Sequence, residues 1–229
     1  MPGRTFVIGD VHGCPKTLEQ LLFNVCNIEI DDKLIFIGDL IDRGPDSKAV
    51  LDIILNLIDS KYEVILIRGN HEQMMINALD HSNAMKSWFR NGGKSTLDSF
   101  DAFHPGFIED KYIELILGTR FFYETENFVI VHAGLNFNIA NPLTDKDKMI
   151  SSRIDYCDSS KIGGRKLIIG HTPFDLDKIK LSLGTDLIRL DGGCVYFRSI
   201  QGLGYLAALE LDSMELFYLQ NIDFDFYGL

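Results

Sequence analysis

The chain has 229 residues, 46% of them hydrophobic, and a formal net charge of −11. That length and apolar content are enough for a sizeable core within one large α/β domain. The acidity excludes nucleic acid and acidic membrane surfaces as partners, and an anionic substrate would need a local cation to draw it in.

In chain order, residues 5–8 read as a strand, and 15–26 as a helix with Leu18, Leu21, Leu22 and Val25 on one face. Residues 34–37 form a second short apolar run. A helix follows over 47–59 with Val50, Leu51, Ile54, Leu57 and Ile58 inward, preceded by the capping sequence Gly44-Pro45-Asp46-Ser47. A third run covers 64–67 and another helix starts over 72–79. Short continuous apolar runs between amphipathic helices point to a sheet buried on both faces. Residues 81–118 read as helical and mixed, with a Gly-Gly turn at 92–93 leading into a capped helix. Strands then dominate, over 120–124, 128–131, 167–169, 187–190, 205–211 and 215–219, the last two as a hairpin across Asp212-Ser213. Strands with few helices between them suggest a second sheet facing the first. No linker or repeat interrupts the chain, so residues 1–229 read as one domain.

Cys14, Cys26, Cys157 and Cys194 have no zinc-cage spacing and read as small core residues in a reducing cytosol. No leader-like segment opens the sequence, and no apolar run approaches the roughly 18 residues of a membrane span. The expected location is cytoplasmic.

Five of the strands end in polar clusters: Asp10 and His12; Asp39, Asp42 and Arg43; Asn70 and His71; His132; and His171. In α/β sheets, sites form at the carboxyl ends of strands. Four of the six histidines lie at such ends. His81 and His104 lie elsewhere and read as surface residues. Asp10, His12, Asp39, Asn70, His132 and His171 make six O/N donors, more than one catalytic ion takes from a protein. They suit two ions with one bridging carboxylate, the arrangement that clamps the attacking and leaving oxygens of a phosphoester displacement. Arg43 is placed to bind the phosphate. Taken singly each motif has an ordinary reading as a turn. Five together do not.

GDVHG (9–13), GDLIDRG (38–44), RGNHE (68–72), HAG (132–134) and GHT (170–172) resemble, in order, the signature of the phosphoprotein-phosphatase branch of the calcineurin-like metallophosphoesterases. The resemblance implies the metallophosphoesterase fold, two facing mixed β-sheets flanked by helices. It implies that Asp10 and His12 hold a first metal, Asp39 bridges, and Asn70, His132 and His171 hold a second. It further implies a metal-bridging hydroxide attacking phosphorus in line, His71 as general acid oriented by Asp42, and phosphate held by Arg43 and the Asn70 amide. A second phosphate-binding arginine corresponds to Arg153, although Ser151 stands where relatives often carry Trp. LDGGCVY (190–196) and WFRNGGKSTLDSF (88–100) look like the bacterial and phage members, which points to Mn²⁺, with Fe and Zn²⁺ chemically open. Residues 197–201 read as an insertion that lengthens a loop.

The leading expectation is a serine/threonine-type protein phosphatase, and the alternative a symmetric dinucleoside-tetraphosphate hydrolase. For the latter, Trp88, Phe89, Tyr123, Tyr196 and Phe197 would be candidate base platforms, with Arg90 and Lys94 for charge. Each has an equally good core or surface reading. A non-catalytic scaffold is a remote third, since every ligand and the acid histidine are present.

Overall fold

The computed structural model describes residues 3–224. The first half runs β1 (Thr5–Ile8), α1 (Pro15–Gln20), β2 (Lys33–Phe36), α2 (Ser47–Asp59), β3 (Glu63–Leu66), then four helices: α3 (Asn70–Asp80), α4 (Ser82–Arg90), α5 (Gly93–Ser99) and α6 (Asp110–Leu117). The second half runs β4 (Phe122–Glu124), β5 (Phe128–Val131), α7 (Lys146–Ser151), β6 (Lys166–Ile169), α8 (Leu176–Ser182), β7 (Leu187–Arg189), β8 (Tyr205–Glu210) and β9 (Leu216–Gln220).

The strands form two mixed sheets, ordered β3-β2-β1-β8-β9 and β4-β5-β6-β7. In the first, β1, β2 and β3 are parallel, while β8 and β9 are antiparallel to their neighbours. In the second, β5, β6 and β7 are parallel and β4 is an antiparallel edge. The parallel strands put their carboxyl ends at one edge of each sheet.

Side chains alternate across a strand, and that alternation divides the core into layers. Val7, Ile35, Ile37, Ile65 and Ile67 of the first sheet meet Phe128, Ile130, Ile168 and Ile188 of the second. On the outer face of the first sheet, Phe6, Ile8, Leu34 and Phe36 pack against Leu18, Val50, Leu51 and Ile54 of α1 and α2. On the outer face of the second, Val129, Val131, Leu167 and Ile169 pack against Met149 and Ile162. Every strand of the shared interior is apolar on both faces, so the runs read as continuous rather than alternating.

The expected elements form, with local differences. The helix expected over 15–26 changes after Gln20 into a π-turn over Leu21–Val25, closed by Cys26 N donating to Leu21 O at 2.8 Å. Ile58, expected inward, is 38% exposed, because the buried stripe of α2 follows Val50, Leu51, Ile54 and Leu57. The N-cap of α2 is Asp46, whose carboxylate accepts from Ala49 N at 2.9 Å. The strand expected over 120–124 is regular only from Phe122. Arg120 instead makes a single bridge with Ile67. α3 begins at Asn70, two residues earlier than expected, because the Glu72 carboxylate reaches back to Gly69 N at 2.8 Å and closes the first turn. Asn70 and His71 therefore stand on the first turn of a helix.

The two sheets touch at their carboxyl edges. Gly9 follows β1 and Leu190 follows β7, and a Cβ on Gly9 would lie 2.3 Å from the Leu190 carbonyl oxygen. Gly9→Ala should therefore lower stability by about 1–3 kcal/mol through overpacking against backbone, read as a lower urea midpoint at unchanged slope. An unshifted midpoint would mean that the seam gives way freely.

Candidate metal centre

The polar residues expected at the strand ends converge at the seam between the sheets. Asp10 and His12 follow β1, Asp39 follows β2, Asn70 and His71 open α3 after β3, His132 follows β5, and His171 follows β6. Asp10, His12, Asp39, His71 and His132 are all at most 4% exposed. The loops that carry them are contorted. His12, Asp39, Asp42, Arg43 and His171 all have φ between 48° and 73°. Left-handed backbone at non-glycine residues is disfavoured and persists where surrounding bonds hold it.

His12 N donates to the Asp39 carbonyl, Asp42 N to Ser47 Oγ and Thr96 Oγ1, Arg43 N to the Gly92 carbonyl, and His171 N to Asp10 Oδ2. The Asp39 amide is held by Glu72. Its buried carboxylate accepts from Asp39 N at 2.9 Å, Leu40 N at 2.8 Å and Gly69 N at 2.8 Å, tying the loop after β2 to the loop after β3. The approach needs glycine at 69, where a Cβ would sit 2.1 Å from Asp39 Oδ1.

Two tight groups of donor atoms share Asp39. In the first, His12, Asp39 and His71 offer ligand atoms within 4.8 Å of one another; in the second, Asp39, His132 and His171 do. Asn70 Oδ1 belongs to the second, 2.8 Å from His171 Nδ1 and 3.2 Å from His132 Nε2. Asp39 Oδ2 lies 3.4 Å from His132 Nε2 and 3.6 Å from His12 Nε2. Donors about 2.1 Å from one cation, roughly a right angle apart, lie about 3 Å from each other, which is the spacing seen here.

The tautomers leave the lone pairs facing inward. His12 Nδ1 lies 3.0 Å from the Ile41 carbonyl, which can only accept, so Nδ1 carries the proton. His12 Nε2 lies 2.8 Å from Arg43 Nη1, which can only donate, so Nε2 is bare. His132 Nδ1 likewise donates to the Ile37 carbonyl at 3.0 Å, which turns its Nε2 toward Asn70, His171 and Asp39. Such outer hydrogen bonds orient imidazole ligands.

The charges are out of balance. Burial and the neighbouring Asp191 push Asp10 well up, and its Oδ1 is buried with no partner among the described residues, although Oδ2 accepts from His171 N at 3.0 Å. Burial opposes ionisation of Asp39, but His132 and His71 outweigh it and hold Asp39 well below the usual carboxylate range. For His132, burial works against the charged form, but Asp39, Asp10 and Glu72 prevail and raise it to about 10. Burial, with His71, holds His12 well below its ordinary value. Burial and His132 lower His171 to about 4. So this pocket binds positive charge, and without a metal a proton on His132 provides it. An orphaned carboxylate oxygen, inward lone pairs and mixed O/N donors all fit a pair of divalent cations.

His71 is separate in character. It is fully buried, its Nδ1 lies 2.7 Å from Asp42 Oδ2, and its Nε2 has no hydrogen-bond partner among the described residues although it lies 4.0 Å from Asp39 Oδ2. Arg153 stands at the edge of the cluster, where its charge helps to lower His171. It is exposed at the end of α7, in a notch of about 200 Å³ with Phe137, Lys148 and Tyr156. His81 is exposed between α3 and α4, and the His104 ring accepts from its own turn at Gly106 N.

Sequence reasoning missed some members and misplaced others. Asp191 follows β7 by two residues, is 4% exposed, and accepts from Gly193 N at 2.8 Å. Burial raises it to about 6. Its Asp-Gly after an apolar run repeats the pattern of the other strand ends, so the signal was present. Trp88 is no base platform: it is fully buried and donates to Asp42 Oδ2 at 2.7 Å. Tyr123 lies at the far end of the sheets, 3.3 Å from Lys33 Nζ at the start of β2. Lys94 is paired with Asp98. Of the aromatic candidates, Tyr196 lies beside the cluster, 5.7 Å from the Arg43 guanidinium. Residues 197–202 form a surface turn.

Two facing mixed sheets with a buried Asp/His/Asn cluster on their joined carboxyl edges define a centre for divalent-metal hydrolysis. The chain belongs to the calcineurin-like phosphoesterase family, whose profile matches residues 3–202. It is a metallophosphoesterase, and the family is dinuclear metal-dependent. It is similar to the asymmetrical bis(5'-nucleosyl)-tetraphosphatase PrpE of Oceanobacillus iheyensis, with 26% identity over 218 residues, covering 83% of this chain and 84% of that protein. It is also similar to serine/threonine-protein phosphatase 2 of Escherichia coli, with 26% identity over 187 residues, covering 82% of this chain and 74% of that one. A solved structure provisionally designated a diadenosine tetraphosphatase superposes with a TM-score of 0.68 at 19% identity, covering 96% of this chain and 95% of that one.

Binding a divalent metal at pH 7 should expel the proton that His132 otherwise carries, so affinity should weaken as pH falls. Calorimetry in buffers of differing ionisation enthalpy checks the sign, and proton uptake would contradict it. Asp39→Asn removes the shared charge and should cost at least one metal per chain by elemental analysis after dialysis.

Proposed function

We propose that the chain hydrolyses phosphoesters with a poor leaving group, as a serine/threonine-type protein phosphatase does, using two divalent cations. The observation that carries this reading is the buried His71–Asp42 pair beside the shared Asp39. A serine or threonine alkoxide is a strong base and needs a proton as the P–O bond breaks. A nucleotide phosphate leaves readily as an anion. An acid built into the site matters most for the first kind of substrate.

The proposed ligands are Asp10, His12 and Asp39 for one ion, and Asp39, Asn70, His132 and His171 for the other. When bound, the ions supply Lewis-acid charge and a water acidified enough to act as nucleophile near neutral pH. The remaining work falls to the protein. Arg43 now donates to the bare Nε2 of His12. With that lone pair given to a cation, the guanidinium would be free for the phosphate oxygens. Asn70 uses Oδ1 within the cluster and keeps its NH₂ for the phosphate. Arg153 stands at the rim as a second, more exposed phosphate contact. His71, held through Nδ1 by Asp42, gives its Nε2 proton to the departing oxygen as the electrons of the P–O bond pass to that oxygen. The core shared by both sheets supports reading residues 1–229 as one catalytic unit. The donor set is compatible with Mn²⁺ in the cytoplasm.

A second reading, dinucleoside-tetraphosphate hydrolysis, is favoured by one observation. A relative bearing that name matches this chain over most of both lengths, and its name specifies asymmetrical cleavage.

His71→Asn should keep both metals and lower turnover of a phosphothreonine peptide by about 10²-fold or more, with a smaller loss on p-nitrophenyl phosphate. Equal losses would count against the acid role. Substrate class is decided by kcat/KM of the Mn²⁺-reconstituted protein on that peptide and on diadenosine tetraphosphate. Preference for the peptide supports the first reading. Preference for the dinucleotide supports the second, with ATP plus AMP indicating asymmetrical cleavage and two ADP symmetrical cleavage.

A further inference from the structure

The Asp42 carboxylate holds more than His71. Its Oδ2 accepts from His71 Nδ1 at 2.7 Å and also from Trp88 Nε1 at 2.7 Å. Its Oδ1 accepts from Thr96 Oγ1 at 2.6 Å. Its backbone N donates to Ser47 Oγ and Thr96 Oγ1, each at 3.0 Å. Asp42, Ser47, His71, Trp88 and Thr96 are all fully buried. Trp88 and Thr96 come from α4 and α5, which contribute no residue to the proposed ligand set.

The Gly92-Gly93 turn between these helices admits the indole, because a Cβ on Gly93 would lie 2.4 Å from the Trp88 ring. The stretch from Trp88 to Thr96 therefore places two donors on one carboxylate. An indole N–H can only donate, so Trp88 has one possible role at Oδ2. The two oxygens are fixed by separate donors, and a carboxylate so fixed cannot swivel. The His71 ring, bound to the same Oδ2, inherits that orientation.

We propose that Trp88 and Thr96 are positioning residues for proton transfer, acting through Asp42 to hold His71 Nε2 at the leaving-group oxygen. This deepens the general-acid reading of His71 and rests on it. The two residues touch no substrate. They set the direction in which the proton is offered.

Trp88 is the single tryptophan of the chain, so its indole N–H gives one side-chain resonance in an ¹⁵N-labelled sample. In the Zn²⁺-loaded protein that proton should resonate downfield of its position in the urea-unfolded chain, and should move upfield in Asp42→Asn. A resonance at the unfolded position, unmoved by Asp42→Asn, overturns the contact.

The kinetic test compares a phosphothreonine peptide with 2,4-dinitrophenyl phosphate, whose leaving group needs no proton. In Thr96→Val and Trp88→Phe, the ratio of kcat on the peptide to kcat on the aryl ester should fall about tenfold. Thr96→Ser, which keeps the hydroxyl, should restore it. In a His71→Asn background the same substitutions should cause no further fall, as expected of groups acting as a unit. An unchanged ratio, or a further fall without His71, overturns the proposal even if the Trp88 variant folds poorly, because Thr96→Val alone decides it. If His71→Asn itself leaves the ratio unchanged, the general-acid reading fails and this inference with it. If His71→Asn lowers the ratio and the other two do not, only this inference fails.

Discussion

Four carboxylates, Asp10, Asp39, Glu72 and Asp191, are buried around one point of a chain that already carries a net charge of −11. Burying an ionised carboxylate without compensation is prohibitive, so each must be answered locally. Glu72 is answered by three backbone N–H groups, and Asp39 by its imidazole neighbours. Asp191 has the Gly193 N–H, and burial moves it up to about 6. Asp10 is left with an oxygen that has no hydrogen-bond partner among the described residues. The deficit is a demand for positive charge, which divalent cations would meet in place of the proton on His132. It also explains how so acidic a chain could attract a phosphate: the field that matters at short range is that of the bound ions.

The architecture brings those charges together without disorder. Parallel strands of both sheets end at the same seam, so three loops of one sheet and three of the other face each other across it. Five residues of these loops adopt left-handed backbone, a local strain sustained by hydrogen bonds between the loops, of which the Glu72 clamp on Asp39 is one. The close contact of Gly9 with Leu190 holds the sheets at the distance at which Asp39 serves both donor groups. Loosening the seam would affect the centre as a whole rather than one ligand.

The resemblance to both a dinucleoside tetraphosphatase and a serine/threonine phosphatase fits a centre whose chemistry is confined to phosphorus. What hangs from the phosphorus is left to the walls of such a centre; near this one stand Tyr196 against Arg43 and the notch that holds Arg153, Lys148 and Tyr156. Walls built on surface loops vary more readily than strand ends locked by Glu72.

The ligand types and their order were legible in the sequence because each follows an apolar run and all but His132, which has Gly134 two residues on, sit beside glycine, a local pattern with a local cause. The same holds for the strands and for α2, whose cap and apolar stripe lie within a dozen residues of each other. Other features were not local. Glu72 has three partners, two of them 32 and 33 residues away; Trp88 reaches Asp42 across 46 residues and Thr96 across 54. No spacing rule announces such contacts, so Trp88 read as a possible platform until packing buried it. Asp191 had the right pattern, but its neighbourhood with Asp10 exists only because two sheets meet. The sequence by itself determined which groups would stand at the strand ends, since periodicity and glycine act over a few residues. Only the tertiary structure decided which of them stand close enough to share a cation, how burial and neighbouring charge shift them, and what holds the His71–Asp42 pair in place, since burial and charge act through space between residues far apart in the chain.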